Sequence, residues 1–506
     1  MNNAETKYDA VVVGSGPNGL SAAIVLARAG LSVIVLEART TIGGGARSSE
    51  LTLPGFVHDI GSAIHPLAAN SPLFERLPLA EHGLEWIYPP VAAAHPFEGG
   101  EAALLMGSVA ETARSLGADE QTYRDLFEPI VEHWSTLLPD ILGPLRWPNH
   151  PLDLAGFGLN ALLPATQLAR RFKTPEARGL LAGMAAHAIQ PLTNLTTSAI
   201  ALVLMAAGHY RGWPLPKGGS QVISDALASY LRSLGGEIVI DRPVRSLRDL
   251  PKARVVLFDL TPKQLLQIVG DYRSDDSTHQ FGFSWGYRKQ LEHYRYGPGI
   301  FKIDWALDGT IPFTNPACER AGTIHLGGTL EEIVQAEQQT YEGGHPNTPY
   351  VLLAQQSRFD PSRAPAGKHT AWAYCHVPNG STVDMTDRIE RQVERAAPGF
   401  RDRILARHTM NTAQIEDWNP NYVGGDINGG IIDWRQLFTR PTLSLTPYRS
   451  STPGIFICSS ATPPGGGVHG MCGYHAARVA LHDGFGKGVP IDLTSPVSPS
   501  ASVLLT

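Results

Sequence analysis

Apolar and polar positions fall along this chain in blocks that mark out its elements. The run Asp9-Ala10-Val11-Val12-Val13 is short, mostly β-branched, and stops at Gly14-Ser15-Gly16-Pro17-Asn18-Gly19. A short apolar run ended by glycine reads as a buried strand, and the small residues from Leu20 to Ala29, closed by Gly30, read as a helix. Residues 32–36 form a second apolar strand that delivers Glu37, so the chain opens with a βαβ unit. Mid-chain, Val222, Ala226, Leu227, Tyr230, Leu231 and Leu234 recur at helical spacing, Gly235-Gly236 ends that helix, and 237–240 predicts a strand. Another strand is expected at 254–258. Near the C-terminus, 454–458 predicts a strand, followed by a glycine loop and a helix from about 471 to 482. Residues 76–204 read mainly helical, with candidates at 110–116, 121–138, 174–187 and 196–207. Residues 271–439 mix strands (299–307, 349–355) with loops and a helix at 386–396. No internal repeat is visible.

The longest apolar stretches, 201–208 and the interrupted 155–165, fall short of the ~18 residues of a spanning helix. The first eight residues lack the charged and apolar regions of a secretory signal, and a cytoplasmic location is expected. Only 17% of the 506 residues are charged and 43% are hydrophobic, against roughly 25% charged in an ordinary soluble domain. The net charge of −6 and the absence of a basic run argue against nucleic acid as a partner. Four cysteines with no CxxC pair remove the usual basis for dithiol chemistry or a zinc site, and no metal is expected.

The first loop carries the clearest chemistry. Gly14 permits a tight turn, Gly16 lets backbone approach a pyrophosphate, and Gly19 lets helix and strand pack closely, with phosphates at the helix N-terminus. Glu37, about 20 residues on, is placed to accept from a ribose hydroxyl. A second glycine-rich loop, Gly43-Gly44-Gly45-Ala46-Arg47, follows directly. This combination resembles the amine-oxidase superfamily, and within it the phytoene desaturase or phytoene dehydrogenase-like FAD-dependent oxidoreductases. That branch also holds carotenoid isomerase, retinol saturase and pyridine nucleotide-disulphide oxidoreductase domain-containing protein 2. The resemblance implies FAD, with Gly43, Gly44 and Arg47 near its pyrophosphate or ring, and it runs from Tyr8 to about Gly486. Motifs that carry it include Gly212-Trp213-Pro214, His376-Val377-Pro378, the stretch from Asn419 to Gly430, Leu437-Phe438 and Arg440-Pro441.

Gly465, Gly467 and Gly470 formally repeat GxGxxG, but no second strand ending in an acid follows, which argues against a second dinucleotide site. In the resembled family this loop returns to the flavin, which implies contacts from Gly466, Gly467 and Val468, and Val244 matches a position that meets the adenine. An acidic residue often found on the approach is replaced here by Ser460 and Ala461. The implied fold is α/β: a discontinuous Rossmann-like FAD-binding domain (1–75, 205–270, 440–486), a mixed α+β substrate domain (76–204, 271–439) and a flexible Ser/Pro-biased tail (487–506).

His469, beside the expected flavin, is a candidate to relay a proton or, equally, to cap its helix. Asp426 is a candidate base or hydrogen-bond anchor, although Asp beside Gly is also ordinary turn chemistry. Tyr422, Asn428 and His187 are secondary candidates, and Lys302 is read first as an ion-pair partner. Trp213, Trp285, Tyr294, Tyr296 and Trp305 are candidates to line an apolar tunnel. The expected activity is hydride transfer from an apolar, isoprenoid or polyene-like substrate to flavin N5. Its alternatives are a flavin-dependent isomerase or saturase, an amine oxidase, and a non-catalytic flavin-binding interaction protein. The low charge further suggests an apolar substrate path whose mouth meets a membrane surface without spanning it. Oligomeric state is left open.

Overall fold

The computed structural model describes residues 7–269, 282–437 and 439–493. Phe438, residues 270–281 and most of the tail expected to be flexible (494–506) lie outside the described residues. A five-stranded, all-parallel sheet runs in the order Ile455–Ile457, Ala253–Phe258, Tyr8–Val13, Val33–Leu36, Glu237–Val239. Parallel sheets are covered on both faces, which is why these strands are almost wholly apolar. Ala10, Val12, Val33 and Val35 face one core, against helices Pro17–Arg28, Gln221–Ser233 and Met471–Phe485. Val11, Val13, Ile34 and Leu36 face the other, against Leu265, Ile268 and Leu291.

The pairing register aligns the strand ends. Val13 lies opposite both Leu36 and Phe258, Leu36 opposite Val239, and Phe258 opposite Ile457. The next residue of each strand therefore emerges on one edge, which brings Gly14, Glu37, Asp259 and Cys458 together. In open α/β sheets ligands bind at this carboxyl edge.

A second, seven-stranded sheet runs Ile404–Met410, Gly299–Leu307, His369–Val377, Val351–Ala354, Ala321–Leu326, Val91–Pro96, Ala102–Met106. It is antiparallel except where Ala321–Leu326 meets Val91–Pro96. This α/β architecture is the one expected from the sequence. The stretch 76–204 is mainly helical, as expected, and also supplies two strands of this sheet that the sequence reading did not include. Val91-Ala92-Ala93-Ala94 carries little strand propensity, but its small side chains let the helix Pro175–Ala185 lie close. A Cβ on Gly183 of that helix would come within 2.9 Å of the imidazoles of His95 and His325. The helix expected at 121–138 is two, Glu120–Glu132 and Trp134–Ile141, broken at His133. Each contains a proline, and the buried Trp134 indole is drawn to Asn70 Oδ1 at 3.0 Å. The strand at 237–240 stops at Val239, since Asp241 takes a left-handed turn (φ 52°) and Arg242 N bonds back to Glu37 O.

Candidate active site

A cavity of about 640 Å³ opens on the carboxyl edge of the parallel sheet. Of the sequence-derived cofactor residues, Gly14, Gly16, Glu37, Gly44, Arg47, Val244, Gly466, Gly467 and Val468 line it. Gly19 and Gly43 do not. They shape the loops instead: Gly43 N donates to Ser15 O at 3.1 Å, and a Cβ on Gly19 would lie 2.2 Å from Gly14 O.

Glu37 is buried and held. Oε2 accepts from Ser15 N (3.0 Å) and Ser15 Oγ (2.5 Å), and Oε1 accepts from Arg39 N (2.9 Å). A carboxylate oxygen has two lone pairs, so Oε1 retains capacity for a hydroxyl donor. Arg47 is fixed from two directions: Nε donates to Gly44 O and Nη2 to Trp418 O, each at 2.9 Å, and the guanidinium stacks 4.3 Å above the Trp418 ring. Burial lowers its pKa.

Asp259, at the end of strand Ala253–Phe258, is a wall residue that the motif reading passed over. Its Oδ2 accepts from Gly19 N at 3.0 Å, at the N-terminus of the helix that would face a pyrophosphate. Burial raises its pKa to about 7; the Gly19 and Gly16 amides pull it down and Glu37 pushes it up. The sequence signal was available, because an acid directly after an apolar strand is the pattern that exposed Glu37.

A second cavity of about 230 Å³ adjoins the first. Trp418, Tyr422, Ile427, Gly467 and Val468 line both. Its other walls are largely apolar, from Ile60, Ile64, Leu204, Ile300 and Leu352 with Trp213, Trp372 and Tyr374. His65, His187, Lys302, Thr323 and Asn428 are among its polar members, and among the described residues no Asp or Glu lines it. Val468 has a positive φ of 55°. A β-branched residue there is strained by about 1–3 kcal/mol, and such strain persists where surrounding structure enforces it.

Two networks stand behind this cavity. Lys302 is buried and ion-paired to Asp304, as the sequence suggested, and its ammonium lies 5.9 Å from the Trp372 ring centre. Asp304 in turn faces His58 Nδ1 at 3.7 Å and His408 Nδ1 at 3.5 Å, and His408 reaches partly into solvent. His187 meets His325, Nε2 to Nε2, at 3.0 Å, and burial lowers His187 to about 3.

The two catalytic candidates line neither cavity. His469 Nδ1 accepts from Met471 N at 3.0 Å, capping the last helix, and burial lowers the imidazole to about 4. Asp426 accepts from Gly297 N (2.7 Å), Gly430 N (3.0 Å) and Asn428 N (2.9 Å), clamping the loop that presents Ile427 and Asn428 to the second cavity. Burial raises its pKa. Tyr422 and Asn428 do line the second cavity. Of the five candidate tunnel aromatics only Trp213 does; Trp285 is exposed and Trp305 packs on Phe400 in the core.

Residues 12–77 match the NAD(P)-binding Rossmann-like domain model, and the fold as a whole is similar to that of solved amine oxidases. Cyclohexylamine oxidase from Brevibacterium oxydans superposes with a TM-score of 0.56 at 16% identity, covering 94% of this chain and 97% of that one. Among curated proteins, the chain is similar to pyridine nucleotide-disulfide oxidoreductase domain-containing protein 2 of Rattus norvegicus, at 26% identity over 94% of both chains. It is also similar to a limonene dehydrogenase component of Castellaniella defragrans, at 23% identity over 96% of both.

Proposed function

We propose that the chain is an FAD-dependent oxidoreductase that oxidises an apolar, isoprenoid-like substrate held in the second cavity. The observation that carries this reading is the shared wall: an apolar cavity abuts a dinucleotide-shaped cradle across Gly467 and Val468. The residues present fit FAD. Gly14, Gly16 and Gly44 bring backbone to the cavity, Glu37 keeps acceptor capacity for a ribose hydroxyl, and Val244 and Gly466 complete the lining. Bound FAD would supply a two-electron acceptor for hydride at N5.

The protein's own part is orientation and the exclusion of water. Trp213, Trp372, Tyr374 and Leu352 enclose the substrate side, and Asp426 fixes the Ile427–Asn428 wall through backbone amides. Lys302 and Asp304, with His408 beyond them, connect this wall to the surface and are suited to holding a proton released during oxidation. His469 is assigned a capping role that sets the last helix against the cradle. The lining argues against an amine substrate, because an alkylammonium entering it would meet Lys302 and, among the described residues, no carboxylate.

The domain assignment belongs to the same proposal. All five parallel strands fall within 1–75, 205–270 and 440–486, and all seven of the large sheet fall within 76–204 and 271–439.

The test is anaerobic mixing of FAD-loaded protein with terpene and polyene hydrocarbons. Bleaching of the oxidised flavin spectrum by such a substrate supports the proposal. Turnover only after pre-reduction identifies an isomerase or saturase, bleaching by amines with peroxide release identifies an amine oxidase, and bound FAD without any turnover points to a non-catalytic flavoprotein. Extraction of the natively purified protein would identify a co-bound lipid directly.

A further inference from the structure

Among the described residues no helix is long and apolar enough to cross a membrane. One helix nevertheless turns leucines outward. In Pro151–Ala161 and the residue that follows it, Leu152, Ala155, Leu159 and Leu162 recur on one stripe and are all exposed, while Phe157 and Ala161 on the opposite side are buried. The exposures are large, 86% for Leu152 and 75% for Leu159, and Trp147 just upstream is 86% exposed. Leu145 and Leu195 extend the patch, the latter through the bond from Thr196 N to Leu162 O at 3.1 Å.

The patch is presented by a held surface. Asp140 accepts from Asn149 N at 3.0 Å and pairs with Arg146 at 3.0 Å, which pins the loop that carries Trp147. From Leu142 to Leu168 the only charged residues are Arg146 and Asp153. Immediately beyond come Arg170, Arg171 and Lys173, exposed, with no side-chain ion pair among the described residues; the Lys173 backbone N donates to Asp119 at 2.8 Å. Arg170 follows Leu162 by eight residues, after an extended Pro164 and the short helix Ala165–Leu168.

An exposed apolar face of leucine and tryptophan, followed closely in the chain by exposed cations, has the chemistry of an interfacial helix, whose apolar side enters the acyl boundary while cations meet anionic headgroups. We propose that this face docks on an anionic lipid bilayer without crossing it. The local cations matter because the chain as a whole carries a net charge of −6, which opposes such a surface. The opposite side of the helix packs on Thr197–Arg211, whose Leu204 lines the second cavity. Docking would therefore place membrane-dissolved apolar molecules one helix layer from that cavity. The proposal goes beyond the assigned chemistry and does not depend on it.

Full-length protein is sedimented with phosphatidylcholine vesicles, with and without phosphatidylglycerol. Expected is co-sedimentation with the anionic vesicles, weakened at least tenfold by Leu152→Asp/Leu159→Asp, and weakened and made less salt-sensitive by Arg170→Glu/Arg171→Glu. Unchanged circular dichroism and melting temperature identify variants that remain folded. The proposal is overturned if the wild-type protein ignores both vesicles, or if Leu152→Asp/Leu159→Asp binds as before. It is equally overturned if light scattering shows a dimer in solution that these leucine changes dissociate, since the patch would then be covered by a second copy.

Discussion

Replacing Asp259 by asparagine tests the electrostatics of the cradle most directly. The carboxyl is buried, its neighbouring charge is Glu37 of the same sign, and two backbone amides offset the burial incompletely, leaving its pKa at about 7. In the unfolded chain the group ionises near pH 3.8. Between those values the folded state holds a proton that the unfolded state has released, so stability falls as pH rises through this window. At 1.36 kcal/mol per unit over the interval from 3.8 to about 7, the loss amounts to about 4 kcal/mol. Asparagine keeps an oxygen for Gly19 N and cannot ionise. The variant should match the wild type near pH 4 and exceed it by about 4 kcal/mol at pH 8. Urea denaturation of the apoprotein across this range measures the difference, in which the unaltered histidines cancel. FAD retention should follow, falling above about pH 7 by up to tenfold per unit in the wild type and staying flat in the variant. Parallel stability curves for the two proteins would refute the reasoning.

Other consequences follow from the same contacts. Glu37→Ala strands the buried Ser15 amide and should destabilise the chain by about 1–3 kcal/mol while weakening FAD binding roughly tenfold or more, read by flavin fluorescence titration. Lys302→Met leaves Asp304 buried without its lysine and should cost about 3–5 kcal/mol in urea melts, most of it recovered in Lys302→Met/Asp304→Asn. Burial holds His469 at about 4 in the fold, so its contribution to stability is present above pH 6.5 and is lost as pH falls toward 4. His469→Gln should reduce the acid-side slope by one proton, about 1.4 kcal/mol per pH unit. It should also leave turnover within a few-fold of wild type, whereas a hundredfold loss would restore a catalytic role.

The first βαβ unit was readable because all its parts are local: strand, loop, helix, strand and acid lie within one stretch. The Gly465–Val468 loop was readable only through resemblance, and it does reach the cradle. What stayed hidden depends on distant partners. Arg47 is oriented by Trp418, 371 residues away, and nothing in the arginine loop announces that stacking. The alanine-rich strand Val91–Pro96 is a strand because Ala321–Leu326 and Ala102–Met106 flank it, against its own propensity. Asp426 and His469 have the residue types of catalysts, and only their amide partners show what they hold. Asp259 could have been found by the rule that found Glu37, had the later strand been given the same weight.

Val468 stands in a strained left-handed conformation in the wall common to both cavities. A single loop therefore shapes both cavities, and their dimensions are mechanically coupled there. Enlarging the pocket by shortening Val468 would disturb the cradle with it. Leu204 and Leu352 line the apolar cavity alone, which under the proposed function makes them the positions where substrate range can drift, in evolution or by design, while the larger cavity stays as it is.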